Sequence, residues 1–482
     1  MLPRILSFVS VVAVLAAGTL LAPSSKVEVN FQSASGSYSV KPADLKLVCP
    51  GTLFRSGGES GTNLSVVERV GSATAFVSAS GTGEIEIGSV TESNPASLPL
   101  GSARIFESLS LGGATSIANV NADSSSIQGS SVLSGSQIQV AEFGSMRGLA
   151  ASSCQQPSND FVLVGGSTMA GREALLVLTN PSPIDATADL RIFTDLGEIT
   201  VAGLSGISVA AQSTTTISLA SFAPTVPSLA VAVQSQGAKL AGWIQQRAVR
   251  GLAAQGVDWI SPNPAASETS VLPGLVIRGT KVINQVAADE ENSDAGHALR
   301  VFAPEGATIT VQIVSSDESV FGAVLTGIVE PGTVSDFPIS ELKDGNYSVT
   351  VSSDKPVYTG LRVARGNPGG TPRVDFAWLS PAEELSEDRV VAIPDSGDAI
   401  LVLANSSENT SSVRVQNLES GAVVNVSVPA LGTATVDVSG TASISKAEAV
   451  RAKVIVLLDG QISDLDVLDP KNLGSQVKVR FR

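Results

Sequence analysis

Short segments of this chain recur at intervals of about 100 to 120 residues, and this self-similarity constrains the fold more than any single motif does. Residues 176–180 (LVLTN) return as residues 401–405 (LVLAN), and residues 258–262 (DWISP) return as residues 377–381 (AWLSP). Around these segments, apolar and polar residues alternate over short runs, as they do in half-buried β-strands. The sequence therefore predicts a series of related β domains.

The length of the chain and the makeup of its apolar residues agree with this prediction. A chain of 482 residues is too long for one hydrophobic core and suggests roughly three to four domains. Aromatic residues are only 4% of the chain, so its cores must rest on small branched residues, which suit thin β-sandwiches. We expect an all-β protein: an N-terminal transmembrane or signal helix followed by tandem β-sandwich modules of immunoglobulin-like type.

The positions of the repeats and of the proline-rich joints predict the domain boundaries. Residues 1–25 are expected to be a signal anchor or signal peptide, and residues 26–160 an N-terminal β domain. Three sandwich modules follow, at residues 161–273, 274–394 and 395–482. Short proline-rich joints keep neighbouring domains semi-rigid, so we expect the modules to form an extended row.

The only apolar run of membrane-spanning length lies at the N-terminus. Residues 5–22 are uncharged, and Arg4 precedes them. Eighteen residues are at the short end for a spanning helix and somewhat long for the core of a signal peptide, so both interpretations stay open. An anchor in the cell membrane is favoured over a cleaved signal peptide and a secreted protein. In both cases the bulk of the chain is expected outside the cytoplasm.

The two cysteines fit export. Cys49 and Cys154 are 105 residues apart, and both fall in the predicted N-terminal domain. In an oxidising compartment a disulfide between them would close nearly the whole domain, and this pairing is favoured over two buried thiols. A zinc site is disfavoured, because the only histidine is distant in sequence.

The charge of the chain argues against nucleic acid as a partner. The formal net charge is −15, whereas binding to a phosphate backbone depends on lysine and arginine. The same sign opposes binding to an anionic bilayer by charge alone, so we expect the membrane contact to be made through residues 5–22.

Few residues offer catalytic chemistry, and none lies in a catalytic motif. His297, the only histidine, is predicted to be an exposed loop residue. Residues 166–173 (GSTMAGRE) resemble a phosphate-binding loop but lack its lysine and lead into a strand, so they predict a turn between two strands. We therefore predict no catalytic or cofactor-binding residue, and a protein that is not an enzyme.

One acidic segment could offer oxygen ligands to Ca²⁺. Asp289, Glu290, Glu291 and Asp294 lie close together, but their spacing departs from that of a calcium-binding loop. A solvated acidic loop is the favoured interpretation, and no cofactor is predicted.

Two tryptophans occupy equivalent positions in the repeat. Trp259 and Trp378 are predicted to be structural residues that fill the core at module boundaries, in preference to a sugar-binding platform. A pair of carboxylates that hydrolyses glycosides remains an alternative, because acids that meet only through folding leave no local pattern.

The middle of the chain resembles a known family. Residues 49–51 (CPG), Cys154, Pro157, residues 160–168 (DFVLVGGST) and residues 171–181 (GREALLVLTNP) carry the resemblance. The family comprises uncharacterised, exported actinobacterial proteins and is defined only as a domain of unknown function. The resemblance implies a β-rich, membrane-anchored protein outside the cytoplasm, often encoded near a membrane glycosyltransferase. It implies no catalytic residue.

Together these features predict a non-catalytic protein of the bacterial envelope. We expect it to act as a scaffold or interaction module whose partner is an envelope protein or a glycan, as an accessory to surface polysaccharide assembly. The alternatives are an array of glycan-binding modules and, less favoured, a carboxylate-based hydrolase.

Overall fold

The structure is a computed structural model, and it describes most of the chain from residue 35 onward. The described residues are 35–39, 45–57, 63–80, 83–91, 96–100, 105–111, 113–120, 132–144, 146–251, 253–320, 322–367, 369–468 and 476–480. The expected N-terminal helix lies outside them. None of the helices within these ranges has the length and apolar character needed to cross a membrane.

The chain divides into two structural units. In the first, strand β1 (Ser35–Ser39) pairs antiparallel with the last strand of the chain, Gln476–Arg480. The second unit, Pro42–Leu473, contains all the remaining elements. Its sheets fall into four groups, which we call modules 1 to 4, and every strand pair within them is antiparallel.

Module 1 contains two four-stranded sheets and a hairpin. The sheet orders are β2-β9-β6-β7 and β11-β10-β5-β8, and β3 pairs with β4. Its strands are β2 (Leu45–Cys49), β3 (Phe54–Gly57), β4 (Asn63–Arg69), β5 (Ala73–Ser80), β6 (Gly83–Ser89), β7 (Ala96–Leu100), β8 (Ile105–Leu111), β9 (Thr115–Val120), β10 (Val132–Phe143) and β11 (Met146–Ser153).

Module 2 contains a five-stranded and a four-stranded sheet. The orders are β12-β18-β14-β15, with β16 also on β14, and β17-β13-β19-β20. A short 3-10 helix, Leu219–Ser221, follows β17. The strands are β12 (Asp160–Val164), β13 (Arg172–Asn180), β14 (Ala186–Thr194), β15 (Gly197–Glu198), β16 (Ile207–Val209), β17 (Ser213–Ser218), β18 (Ala230–Gln236), β19 (Ala241–Arg250) and β20 (Ala253–Ile260).

Module 3 differs in that one long strand, β26, belongs to both sheets. Helix α1 (Thr280–Ala287) and a 3-10 helix (Glu290–Ala295) lie between its first two strands. The strand orders are β24-β23-β26-β21 and β25-β22-β26-β27. The strands are β21 (Ser267–Ile277), β22 (His297–Ala303), β23 (Ala307–Ser315), β24 (Ala323–Val329), β25 (Thr333–Ile339), β26 (Gly345–Gly366) and β27 (Val374–Leu379).

Module 4 returns to two separate four-stranded sheets. The last described strand, β36 (Gln476–Arg480), belongs to the first unit. The orders are β28-β33-β30-β31 and β32-β29-β34-β35. The strands are β28 (Arg389–Ala392), β29 (Asp398–Asn405), β30 (Ser411–Asn417), β31 (Val423–Val428), β32 (Thr433–Val438), β33 (Thr441–Ile444), β34 (Val450–Leu458) and β35 (Gln461–Asp466).

The four modules share one strand order, which explains the repeats in the sequence. In module 2 the last strand, β20, is an edge strand of the sheet β17-β13-β19-β20, and the first strand, β12, is an edge strand of the other sheet. The last and first strands of modules 1, 3 and 4 hold the same two edge positions. The prediction of an all-β chain with several sheets is confirmed. The described part of the chain contains one α-helix and two 3-10 helices.

The recurring apolar segment is buried on both faces. In β13, Leu176 and Leu178 pack in the core of module 2, whereas Leu175 and Val177 pack against module 1. In β29, Val402 likewise packs in the core of module 3. Covered on both sides, these strands have continuous apolar runs instead of an alternating pattern.

The asparagine that ends each recurring segment turns the chain. Asn180 donates from Nδ2 to the carbonyl oxygens of Ile184 and Val209, and its Oδ1 accepts from the backbone N–H of Ser182. Asn405 makes the same type of bonds in module 4. These buried amides satisfy backbone groups that leave the sheet, so the turn chemistry repeats along with the strand.

The last strands of the modules meet in a closed ring. β11 contacts β20, β20 contacts β27, β27 contacts β35, and β35 contacts β11. Module 4 therefore packs on module 1, and the expectation of an extended row is wrong. Proline-rich joints limit the flexibility between neighbours, but they do not set the direction in which each module turns.

Candidate functional site

The disulfide predicted from the sequence is present. Cys49 at the end of β2 is bonded to Cys154, directly after β11, and both residues are buried. The bond joins the first and last strands of module 1. The backbone N–H of Cys154 also donates to the carbonyl oxygen of Gly135.

A buried polar network occupies the ring of last strands. Asp258 in β20 accepts from the backbone N–H of Trp378 in β27, at 2.8 Å, and from the hydroxyl of Ser463 in β35, at 2.7 Å. Ser463 Oγ in turn accepts from the backbone N–H of Ala151 in β11, at 2.8 Å. Two side chains thus connect all four modules.

Asp375 in β27 makes a second set of these connections. Its Oδ2 accepts from the backbone N–H of Leu149 in module 1 and from that of Ile462 in module 4, at 3.1 and 3.0 Å. Space for the carboxyl group exists because Gly148 and Gly256 lack a Cβ: an added Cβ would lie 2.8 and 2.7 Å from Asp375 Oδ1. Burial raises the pKa of Asp375 to about 7.

A buried lysine lies at the edge of this network. Lys453 in β34 donates to Asp464 at 2.9 Å and to Asp466 at 2.6 Å, both in β35, and contacts Ser380 Oγ at 3.3 Å. Burial would lower the pKa of Lys453, but the two carboxylates outweigh burial and raise it. Burial raises the pKa of Asp464 to about 6 against the charge of Lys453.

A cavity of about 280 Å³ lies beyond the C-terminal ends of the last strands of the four modules. It is lined by the segments that follow β11, β20, β27 and β35, including Gln156, Pro262, Pro381 and Leu468. Of the acids described above, Asp466 lines this cavity, whereas the buried Asp258, Asp375 and Asp464 do not.

The two repeat tryptophans are buried at boundaries between modules. Trp259 packs with Met146 and Ala150 of module 1. Trp378, although part of module 3, packs in the core of module 2, with Leu163 and Ile260. The two residues are 1% and 4% exposed, so neither forms an open surface for a sugar.

A larger cavity, of about 790 Å³, lies between modules 2 and 3. We call it the intermodule cavity. Its walls come from the turn before β13, the end of β19, helix α1, the following 3-10 helix and strands of module 3. The side chains used below are Arg172, Asn292, Asp294, His297, Arg300, Asp336, Arg362, Phe376 and Trp378.

Two buried arginines, Arg300 and Arg362, line this cavity. Arg300 in β22 pairs with Asp336 through Nε at 2.7 Å and Nη2 at 2.8 Å, and donates to the carbonyl oxygens of Gly166 and Pro227 in module 2. Its guanidinium lies over the ring of Trp378. Neither Arg300 nor Arg362 is among the residues expected from the sequence to form a site, although a lone arginine within an apolar strand indicates a buried, partnered charge.

Arg362 in β26 lies over the ring of Phe376 and donates from Nη1 to the carbonyl oxygens of Asp294 and Gly296. Burial lowers the pKa of Arg362 to about 10, against the charges of Asp294 and Asp336. The guanidinium is therefore still a cation at neutral pH.

The prediction that His297 is an exposed loop residue is wrong. His297 begins strand β22, is 8% exposed and lines the intermodule cavity. Its Nδ1 accepts from the backbone N–H of Ala364 at 3.1 Å. Burial and the nearby charge of Arg362 lower its pKa to about 4, so the ring is neutral at pH 7.

The acidic segment is not simply a solvated loop. Asp289 caps the 3-10 helix and pairs with Arg250, and Asp294 pairs with Arg172 at the cavity. Glu290 and Glu291 are exposed. Within the described ranges, no group of three or more histidine, cysteine or acidic side chains is arranged to hold a metal ion.

Residues 166–171 lie in the turn between β12 and β13, as the sequence predicts, and residues 172–173 begin β13. Most of this turn and Arg172 line the intermodule cavity. The arginine that distinguishes this turn from a phosphate-binding loop, Arg172, contacts Asp294 through Nε and Nη2, at 2.8 and 2.5 Å. Hydrogen bonds from Arg172 and the charge of Arg362 hold the pKa of Asp294 below its usual value, although burial opposes this.

Comparison with solved structures finds a tetra-tandem repeat from the extending region of a large adhesion protein, with 10% identity over 82% of this chain and 92% of that chain. Its TM-score of 0.11 is too low to indicate a shared fold. No curated protein shows significant similarity to the chain.

A protein-family model matches the larger part of the chain. The model of the family of unknown function DUF5719 matches residues 112–447, which include part of module 1, all of modules 2 and 3, and most of module 4. Because this match covers more than half of the chain, the protein belongs to DUF5719, a family whose function is not known.

Proposed function

We propose that this protein is a non-catalytic scaffold of the bacterial cell envelope, anchored through residues 5–22 and exposed outside the cytoplasm. Its partner in this proposal is an envelope protein, and its work is accessory to surface polysaccharide assembly. The observation that supports a structural role best is the polar network in the ring, whose buried side chains bind one module to the next.

Three of the acids in that network have structural partners. Asp258 and Asp375 accept hydrogen bonds from neighbouring modules, and Asp464 pairs with Lys453. None of the three lines either of the cavities described above. A hydrolase needs two carboxyl groups beside a bound sugar, with room for water or a covalent intermediate. The placement of these acids favours a structural role over the carboxylate-based hydrolase.

An array of glycan-binding modules is supported less well than a scaffold. Sugar-binding grooves commonly stack sugar rings on exposed aromatic side chains. All three tryptophans of the chain, Trp243, Trp259 and Trp378, are buried.

The disulfide supports a location outside the cytoplasm. Bonds of this kind form and persist in oxidising compartments and are rare where thiols are kept reduced. Cys49 and Cys154 join distant parts of module 1, so the bond fits a stable structural role in an exported domain.

Site-specific photo-crosslinking in living host cells tests the scaffold proposal. A crosslinking amino acid is placed at Leu196, Ile328 or Leu431, which are exposed in modules 2, 3 and 4. The control position is Leu178, which is buried. We expect at least one exposed position to capture the same envelope protein in repeated experiments, and the control to capture none.

A second experiment tests the alternative that the protein is a carboxylate-based hydrolase. Purified protein is incubated with envelope polysaccharide of the host, and released sugars are measured. Release that disappears on substitution of Asp466→Asn or Glu383→Gln, both at the smaller cavity, would overturn the proposal. A lack of any envelope protein among the crosslinked products would also count against it.

A further inference from the structure

We propose that the intermodule cavity binds an oxyanion, a carboxylate or phosphate group carried by a small molecule such as an acidic or phosphorylated sugar. The proposal goes beyond the scaffold role and does not depend on it. It rests on a set of side-chain groups around one cavity that can only donate hydrogen bonds and that have no partner in the described part of the protein.

The first of these groups is the free edge of Arg362. Its Nη1 is used by two backbone carbonyl oxygens. Its Nε and Nη2 make no hydrogen bond among the described residues, and Arg362 lines the cavity. These two nitrogens form the fork that binds both oxygens of a carboxylate or phosphate.

His297 provides the second donor. Because Nδ1 accepts a hydrogen bond from the backbone N–H of Ala364, the proton of the neutral ring must be on Nε2. Nε2 is buried and has no partner among the described residues. A buried N–H without an acceptor is costly, and a ligand oxygen would remove that cost.

Asn292 and Trp378 add two more donors of the same kind. Asn292 Oδ1 accepts from Arg172 at 3.4 Å, whereas its Nδ2 is buried and lacks a partner within the described ranges. Trp378 Nε1 is also buried and unpartnered there. Both residues line the cavity and are at most 4% exposed.

Two of the four acids at the cavity, Asp294 and Asp336, already have partners. Asp336 is bound by Arg300 and by the hydroxyl of Ser228, and Asp294 is bound by Arg172. Glu290 and Glu291 line the cavity and are exposed, and their charge opposes an anion near the solvent side. The unpartnered buried groups at the cavity are donors, so an acceptor-rich ligand fits the buried part better than a cation or an apolar molecule does.

The size of the cavity limits the ligand. A volume of about 790 Å³ lies within the range of sites for small molecules, about 300 to 1,000 Å³. A sugar carrying one charged group fits this volume, with the charged group at Arg362. A free inorganic anion would occupy only a fraction of the space.

Titration calorimetry on the full-length protein, purified in detergent, tests the proposal. The probes are glucose 6-phosphate, glucuronate, inorganic phosphate and, as a neutral control, glucose. We expect at least one of the three anions to bind and glucose not to bind. Binding of glucose 6-phosphate without glucuronate would identify phosphate as the recognised group, and the reverse result would identify carboxylate.

Four variants separate ligand binding from folding. Asn292→Asp replaces a donor with a carboxylate of the same shape, and Arg362→Lys removes the fork but keeps a positive charge. For both we expect affinity to fall at least tenfold. Trp378→Phe removes one N–H and should weaken binding severalfold. The matched control is Trp259→Phe, which removes the equivalent unpartnered N–H of the repeat away from this cavity and should leave affinity unchanged.

Circular dichroism and the melting temperature show that each variant is folded before its affinity is compared. The proposal is overturned if none of the anions binds the wild-type protein, or if glucose binds as well as they do. Equal affinity of the wild-type protein and the folded Asn292→Asp and Arg362→Lys variants would also overturn it.

Discussion

At the scale of single residues, Asp375 shows how this protein uses a buried acid. Its carboxyl group accepts backbone hydrogen bonds from modules 1 and 4. Asp375 Oδ1 is buried without a hydrogen-bond partner among the described residues. Burial favours the protonated acid, which explains the rise of its pKa to about 7.

This raised pKa predicts a pH-dependent stability. The ordinary value is 3.8, so between pH 4 and 7 the folded protein holds a proton that the unfolded chain releases. The free energy of unfolding should therefore fall as pH rises through this window. The Asp375→Asn variant keeps an acceptor and has no charge. Relative to the wild-type protein it should gain about 3 kcal/mol between pH 5 and pH 8.

Urea denaturation of both proteins at the two pH values measures this gain. Asp258 and Asp464 are present in both proteins, so their own titrations largely cancel in the comparison. A stability difference between variant and wild type that is the same at pH 5 and pH 8 would contradict the assigned pKa shift.

What could be predicted at this scale depended on where the partners of a residue lie. The disulfide of Cys49 and Cys154 could be predicted because the chain has only two cysteines and because the apolar run at residues 5–22 led us to expect export to an oxidising compartment. The burial of His297 could not, because residues 294–298 (DAGHA) read locally as a loop. Its hydrogen-bond partner Ala364 and the neighbouring charge of Arg362 both lie in β26, more than 60 residues along the chain, which the local sequence does not indicate.

At the scale of elements, alternation correctly predicted the strands that have one exposed face. β14 and β23 alternate buried and exposed residues along most of their length. The strands that close the ring, such as β11 and β20, pack closely against one another, and alternation does not indicate this. They approach each other so closely that certain positions have no room for a side chain, and glycine stands there.

Gly256 in β20 provides a test of this close approach. Its φ of +126° is one that other residues rarely adopt, and an added Cβ would lie 2.7 Å from Asp375 Oδ1 and from Phe376 Cδ1. Gly256→Ala should therefore destabilise the protein by about 2 to 4 kcal/mol.

The matched control is Gly369→Ala. No atom lies within 4 Å of a Cβ added at Gly369, so this change should alter stability by less than about 0.5 kcal/mol. The free energy of unfolding of both variants is measured in denaturant. If Gly256→Ala is no more destabilising than the control, β20 and β27 are not packed as closely as the structure shows.

At the scale of the whole chain, the repeat predicted related modules but not how they are arranged. The contacts that close the ring join residues far apart in sequence: Leu149 and Asp375 are 226 residues apart, and Ala151 and Ser463 are 312. Alternation and turn residues report on neighbours within one module. They carry no information on which module edge meets which, so a row and a ring have the same local sequence pattern.

Removal of module 4 distinguishes a ring from a row. Without it, Ala151 N–H loses its acceptor, and the core of module 3 loses Val402, Ile455 and Leu457, which pack in that core. In a row of independent modules, a chain ending at residue 388, just before β28, would keep its first three modules folded. In a ring, the remaining modules expose apolar surface and unpaired backbone groups, so the melting temperature should fall by at least about 10 °C.

A chain ending at Leu468 is the control for truncation itself, because it keeps every strand of the four modules. We expect it to retain the melting temperature of modules 1 to 4 in the full-length protein, whereas the chain ending at residue 388 should also be digested faster by a dilute protease. Because modules 1 and 3 both border module 4, the damage should reach module 1 as well. If module 1 of the shorter chain resists protease as well as it does in the control, module 4 does not close the structure onto module 1.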